Sequence, residues 1–164
     1  MNSAVAGVPV YETATLPEWI DYNGHVRDAY YGLIASSACD AVMDRIGVDA
    51  AYRERTHCTL YTLEMHVHYL SEVKQSDRVA VEVTILGSDA KRLHAGFTLR
   101  RGFDGALAAT VEFMLLHVRQ GAAPGSAPFP PEVRSAIAAL AAAAPAAGFG
   151  PGSRALSLAG GARQ

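Results

Sequence analysis

Cysteine is scarce in this 164-residue sequence, and long apolar segments are missing. The two cysteines, Cys39 and Cys58, show no metal-ligand spacing, so we expect free buried thiols and no disulfide. No apolar run approaches the ~20 residues that a membrane-spanning helix requires, and residues 1–7 lack the basic and apolar regions of a secretory leader. We therefore expect a cytoplasmic protein with no membrane partner.

A strong charge of either sign is also missing. The 14 lysines and arginines nearly balance the 16 acidic residues, which gives a net charge of −2 and a pI near 6.3. Surfaces that bind nucleic acid are usually basic, so we expect no nucleic-acid partner. The rest of the composition is that of a globular protein, half apolar and 18% charged, and the length suits one domain.

Two patterns in the first third of the chain predict secondary structure. A β-branched segment over residues 8–15 predicts a first strand. From Asp28 to about Ile46, apolar positions recur at helical spacing and predict a long helix that Asp28 caps and Gly47 ends. A second, shorter helix is expected over residues 49–55.

The middle of the chain alternates between apolar and polar residues, which is typical of strands. Turn residues divide it into four strands of an antiparallel meander, over residues 58–73, 78–86, 92–100 and 106–119. In the first of these, the alternation predicts one face with Tyr61, Leu63, Met65, Val67 and Tyr69, and another with Thr62, Glu64, His66 and His68. In the third, it predicts an outer face with Arg92, His94, Thr98 and Arg100.

Past Gln120 the composition shifts to alanine, glycine and proline. We therefore assign residues 1–164 to a single domain, with a core over about 8–120 and a C-terminal extension over 121–164. Within the extension, residues 131–144 predict one helix, and residues 145–164 are expected to be disordered.

The most distinctive motif is Asp21-Tyr22-Asn23-Gly24-His25-Val26, which directly precedes the long helix. It places a carboxylate, an amide and an imidazole within five residues, and its glycine lets the backbone turn close to a ligand. A plain alternative is that Asp21 shapes a turn and that Asn-Gly is an ordinary turn dipeptide. The motif is a candidate site.

A strand, an Asp-x-x-x-His-Val motif, a long helix with Ala-x-Tyr in its first turn and four meander strands together resemble the hotdog-fold acyl-CoA thioesterases of the 4-hydroxybenzoyl-CoA thioesterase type. The match runs through Asp21, His25, Val26, Ala29 and Tyr31. The segments 61–64, 69–73 and 89–94 look most like the betainyl-CoA thioesterases of carnitine breakdown.

The resemblance implies an α+β hotdog fold, in which a curved antiparallel five-stranded sheet wraps around one long helix. It also implies that two subunits join their sheets edge to edge, as a homodimer or a tetramer built from dimers, with active sites at the dimer interface. The expected substrate is an acyl-CoA. No metal or redox cofactor is expected, and CoA enters only as part of the substrate.

The resemblance also implies the roles of the polar residues. Asp21 would attack the thioester or activate a water, and backbone N–H groups from Gly24 to Asp28 would stabilise the oxyanion. Asn23 would orient the water, and His25 would support Asp21. Glu64 would be a second carboxylate if its strand lines the site across the dimer; on a solvent face it would instead join a charge network with Arg92 and His94.

Substrate-binding candidates fall into two groups. Aromatic faces hold quaternary ammonium groups, and the motif is surrounded in sequence by Trp19, Tyr22, Tyr30 and Tyr31, with Gly24 at the turn. Basic residues at strand ends bind phosphates, and here they are Lys91 and Arg92, with Arg100 and Arg101. The plain alternatives are an ordinary core for the aromatic residues and a solvated sheet edge for the basic ones.

Three other hypotheses fit the sequence less well. A hotdog hydratase pairs an Asp and a His around an Asn-Pro step, whereas this chain has Asn23-Gly24. A non-catalytic acyl-CoA-binding module would need no carboxylate at position 21. A zinc site on His66, His68 and His94 lacks a supporting carboxylate or cysteine pattern.

One residue of this region departs from the family pattern. Arg27 stands where relatives usually carry asparagine, next to the helix start.

Overall fold

A computed structural model of the protein describes residues 7–144, 149–150, 156 and 158. Its helices and strands follow the predicted order. They are β1 (Val8–Ala14), α1 (Asp28–Arg45), α2 (Ala50–Thr56), β2 (Cys58–Tyr69), β3 (Arg78–Ser88), β4 (Arg92–Arg101), β5 (Leu107–Arg119), β6 (Gly125–Ser126) and α3 (Pro131–Ala143).

The strands form one antiparallel sheet in the order β1-β3-β4-β5-β2. The two-residue strand β6, which the sequence did not predict, pairs with the end of β5. Helix α1 packs on one face of the sheet, here called the inner face, and the opposite face is called the outer face. The expected α+β hotdog fold, a five-stranded sheet curled around one long helix, is confirmed.

Helix α1 runs for 18 residues and ends as predicted. Gly47 has φ +83°, a left-handed conformation that favours glycine, and its N–H donates to the carbonyl of Asp44. The start differs from the prediction, because Arg27 occupies the N-cap position and makes no side-chain capping bond. Asp28 is the first helical residue, and its carboxylate accepts the N–H of Ala29 at 2.8 Å.

Small residues on α1 let the sheet approach closely. Ala35 and Ala38 are fully buried, and they lie among the larger core side chains of the helix and of the inner sheet face. The free cysteines Cys39 and Cys58 are both buried, as predicted, and burial beside Asp40 raises the pKa of Cys39 to about 12. None of the described helices is both long and apolar enough to cross a bilayer.

Strand β2 contains a bulge that the sequence prediction missed. Its pairing with β5 shifts between Thr62, which faces Leu115, and Glu64, which faces Met114, so Leu63 is an extra residue. A bulge reverses the alternation of side chains along a strand. The predicted continuous face from Tyr61 to Tyr69 is therefore wrong.

The register shows how the two faces of β2 are divided. Paired residues share a face, and the inner-face residues Leu115 and Phe113 pair with Thr62 and Met65. Tyr61 therefore lies on the outer face. Strand β2 also ends at Tyr69 instead of continuing to residue 73.

The outer face of the sheet carries the polar residues predicted for it, but its centre is buried. A Cβ atom at Gly96 would overlap the ring of Phe149, which covers this position. Further along, the N–H of Leu156 donates to Glu112 at 3.0 Å, and Arg92 donates to the carbonyl of Leu158 at 2.8 Å. The C-terminal extension therefore reaches across the outer face.

The other predictions for the extension divide between described and undescribed residues. The predicted helix over 131–144 is confirmed as α3, which adds Val133, Ile137 and Leu140 to the core. The disorder expected over 145–164 falls mostly outside the described residues.

Candidate active site

The motif Asp21–Val26 folds into a closed turn immediately before α1. Ile20 and Val26 form an isolated β-bridge, the N–H of Asp21 donates to the carbonyl of His25 at 2.8 Å, and the N–H of Gly24 donates to the carbonyl of Asp21 at 3.0 Å. Gly24 has φ +80°, which side-chain-bearing residues rarely adopt. The glycine is therefore required by the shape of the turn.

The turn holds the carboxylate of Asp21 in its anionic form. One oxygen accepts the N–H of Asn23 at 2.8 Å and the N–H of His25 at 3.3 Å. Partial removal from water would raise the pKa of Asp21, but these hydrogen bonds outweigh it and lower the pKa below its usual value. An ionised carboxylate is the form that a nucleophile or a general base needs.

His25 connects the turn to the segment that follows β2. Its backbone supports Asp21, while its Nε2 atom lies 3.0 Å from Oε2 of Glu72. His25 also forms an isolated β-bridge with Lys74. The imidazole is thus directed to Glu72, and its support of Asp21 comes through the main chain.

An open cavity of about 310 Å³ lies between the start of α1 and the end of β2. It is lined by His25, Val26, Asp28, Tyr31, Tyr69, Leu70, Ser71 and Glu72. Asp21 is not one of the lining residues, but its carboxylate accepts the N–H of His25, which is one. The turn, the helix start and the end of β2 therefore meet at one place.

Two tyrosines form the aromatic part of the cavity. The rings of Tyr31 and Tyr69 meet edge to face, with centroids 5.3 Å apart and an angle of 84°. The hydroxyl of Tyr69 donates to the carbonyl of Asp28 at 3.2 Å, and the hydroxyl of Tyr31 accepts the N–H of Val73 at 3.2 Å. These bonds fix both rings.

Most N–H groups of the turn already have acceptors. The N–H groups of Asn23 and His25 donate to the carboxylate of Asp21. The N–H of Val26 donates to the carbonyl of Val73, and the N–H of Arg27 donates to the carbonyl of Trp19. Among the described residues, no acceptor is seen for the N–H of Asp28, the first amide of α1. The first amides of a helix carry its positive dipole end. Of the amides predicted to bind an oxyanion, Asp28 is the best placed.

The predicted aromatic residues do not gather around the cavity. Trp19 and Tyr30 stack on each other with ring centroids 5.4 Å apart, and Tyr22 is 95% exposed. Of the predicted group, only Tyr31 lines the cavity. Tyr69 and Glu72 also line the cavity, and the sequence predicted no role for either of them, although both belong to the segment 69–73 that carries the family resemblance.

Glu64, Lys91 and Arg92 lie away from the cavity. Glu64 is an exposed β2 residue five positions before Tyr69, which is about 17 Å along a strand. Lys91 donates to Ser126, and Arg92 pairs with Asp89 at 2.7 Å. Their predicted substrate contacts remain predictions.

His94 pairs with Glu112 on the outer face, at 2.9 Å. In the described part of the chain, no three histidines, cysteines or acidic residues come close enough together to hold a metal ion.

Comparison with known proteins finds similarity to thioesterases. Residues 15–137 match the family model described as the thioesterase-like superfamily. The betainyl-CoA thioesterase of Pseudomonas aeruginosa is 49% identical over 131 residues, which cover 80% of this chain and 82% of that protein.

Two solved structures share the fold. A Staphylococcus aureus protein solved in complex with CoA has a TM-score of 0.78 and 33% identity, over 88% of this chain and 90% of its own. A putative thioesterase of Pseudomonas putida has a TM-score of 0.73 and 39% identity, over 96% of both chains.

The fold, the family match and the 49% identical relative together define a hotdog-fold thioesterase, an enzyme that hydrolyses acyl-CoA thioesters. The chain belongs to the thioesterase-like superfamily.

Proposed function

We propose that the protein hydrolyses betainyl-CoA to betaine and CoA, with Asp21 as the catalytic carboxylate. The observation that supports the reaction is the ionised Asp21 in a turn whose residues His25 and Val26 line an open cavity at a helix start. The similarity to the betainyl-CoA thioesterase of P. aeruginosa supports the acyl group. We further propose that the enzyme acts in the cytoplasm.

The proposed reaction uses two groups, the carboxylate of Asp21 and the backbone N–H of Asp28. The carboxylate of Asp21 either attacks the thioester carbonyl or removes a proton from the water that does so. The negative charge that develops on the carbonyl oxygen is stabilised by the N–H of Asp28 and by the positive end of the α1 dipole. The carbon–sulfur bond then breaks, and the CoA thiolate takes a proton from the carboxyl of Asp21 where Asp21 has activated the water, or from solvent where Asp21 has attacked directly. In the direct attack, water then hydrolyses the betainyl–Asp21 anhydride, which releases betaine and restores the carboxylate.

We propose a homodimer joined through β2. This strand is an edge of the sheet, so one side of its backbone is unpaired. It also exposes Tyr61, Leu63 and Met65, each to about half of its surface. Sedimentation equilibrium is expected to give the mass of two chains or four; a monomer at micromolar concentration would contradict the dimer.

The test of the reaction is Asp21→Asn, which keeps the size of the side chain and removes its charge. We expect kcat for thiol release from betainyl-CoA to fall at least ~100-fold, the usual contribution of a general base or nucleophile. Asp44→Asn removes an exposed carboxylate at the far end of α1 and is the matched control. Near wild-type activity in a folded Asp21→Asn protein would overturn the assignment.

A further inference from the structure

We infer that Tyr69 and Glu72 form a subsite that receives the cationic part of the acyl group. The inference rests on the proposed function and assigns the selection of the acyl group to two residues outside the Asp21 motif. Three features of the cavity support it: its charge, its aromatic surface and its connection through His25 to the turn that holds the reacting carboxylate.

The charge of the cavity favours a cation. Two acidic residues, Asp28 and Glu72, are among its lining residues, against one histidine, and no lysine or arginine is among its described lining residues. The nearby guanidinium of Arg101 donates to the carbonyl of Glu72 at 2.7 Å but is paired with Asp104, also at 2.7 Å. The positive charge of Arg101 is therefore already paired with the carboxylate of Asp104.

The aromatic surface also suits a quaternary ammonium group. Such a group has no N–H to donate, so it binds through ring faces and nearby negative charge. Tyr69 is half exposed at the cavity, and its ring is held by the contact with Tyr31 and by the hydroxyl bond to Asp28. Glu72 keeps 62% of its side chain exposed, so its carboxylate is accessible to a ligand.

The position agrees with the length of the acyl group. In a betainyl group, a single methylene separates the cationic nitrogen from the thioester carbonyl, so the cation must bind next to the attacking carboxylate. His25 joins the two places, since its main chain holds Asp21 and its imidazole contacts Glu72. A cavity of about 310 Å³ also suits a small acyl group.

The experiment compares betainyl-CoA with tert-butylacetyl-CoA, in which a carbon replaces the nitrogen and the shape is unchanged. The readout is the ratio of kcat/KM for the two substrates, which cancels general losses of activity. We expect the ratio to fall roughly tenfold in Glu72→Gln and in Tyr69→Leu. Glu54→Gln, which removes an exposed carboxylate of α2, is expected to keep the wild-type ratio.

The subsite and the proposed function are overturned by different results. An unchanged ratio in both Glu72→Gln and Tyr69→Leu would overturn the subsite while hydrolysis of betainyl-CoA still supports the proposed function. If the unmodified protein hydrolyses neither substrate, the proposed function is wrong and the subsite is overturned with it.

Discussion

Two histidine–glutamate pairs with nearly the same geometry lie in very different surroundings. His25 and Glu72 are 3.0 Å apart at the cavity, with side chains 28% and 62% exposed. His94 and Glu112 are 2.9 Å apart on the outer sheet face, with side chains 7% and 1% exposed. The contact is the same, so the difference in burial must decide what each pair does.

The buried pair is part of the fold. Oε2 of Glu112 accepts from His94 and from the N–H of Leu156, which attaches the C-terminal extension to the sheet. The other oxygen, Oε1, is buried, and no described residue provides it with a hydrogen bond. Buried charge without a partner is strongly unfavourable, so this carboxylate depends on the contacts that it has.

The pair His25–Glu72 lies at the cavity, in contact with water. Water screens the interaction of His25 with Glu72, so the pair contributes little to stability. The same exposure leaves Glu72 accessible from the cavity. A pair that does little for the fold is therefore available for substrate binding.

The largest expected effect comes from breaking the buried pair. His94→Leu leaves Glu112 buried with fewer donors, and we expect the free energy of unfolding to fall by about 3 kcal/mol. Urea denaturation at a fixed protein concentration measures this, since an oligomer's stability depends on concentration.

The control for His94→Leu replaces both partners. In the double variant His94→Leu/Glu112→Met, no carboxylate is left unpaired, and we expect most of the lost stability to return. A single variant within ~0.5 kcal/mol of wild type would show that burial does not separate the two pairs.

The smallest expected effect comes from breaking the exposed pair. His25→Ala should lower the free energy of unfolding by less than ~1 kcal/mol, the range of exposed ion pairs. Because Glu72 keeps its charge, the preference for betainyl-CoA over its neutral isostere should not fall in this variant. A loss of stability as large as that of His94→Leu would contradict the comparison.

Local patterns in the sequence were sufficient for the elements that depend on local chemistry. Gly47 ends α1 because a left-handed residue must follow the helix, and the alternation of β3 and β4 gave their inner faces correctly. Gly24 lies where the turn needs a positive φ. The family resemblance then supplied the fold and the reaction class.

Features that depend on contacts between distant segments were not predictable. The bulge at Leu63 is defined by its register with β5, and alternation alone cannot show it. The outer face of β4 has a polar sequence but is buried, because Phe149 and Leu156 cover it. Glu72 became a site candidate only when the fold brought it to His25.

The most direct test of this account is the ratio of kcat/KM of the unmodified protein for betainyl-CoA and for tert-butylacetyl-CoA, each divided by the rate constant of its uncatalysed hydrolysis, because the ammonium group itself activates the carbonyl. A cavity lined by Glu72, Asp28 and two tyrosines should favour the cation, and we expect the ratio to exceed about ten. Equal values for the two substrates, or a preference for the neutral one, would contradict a cation-selecting site beside Asp21.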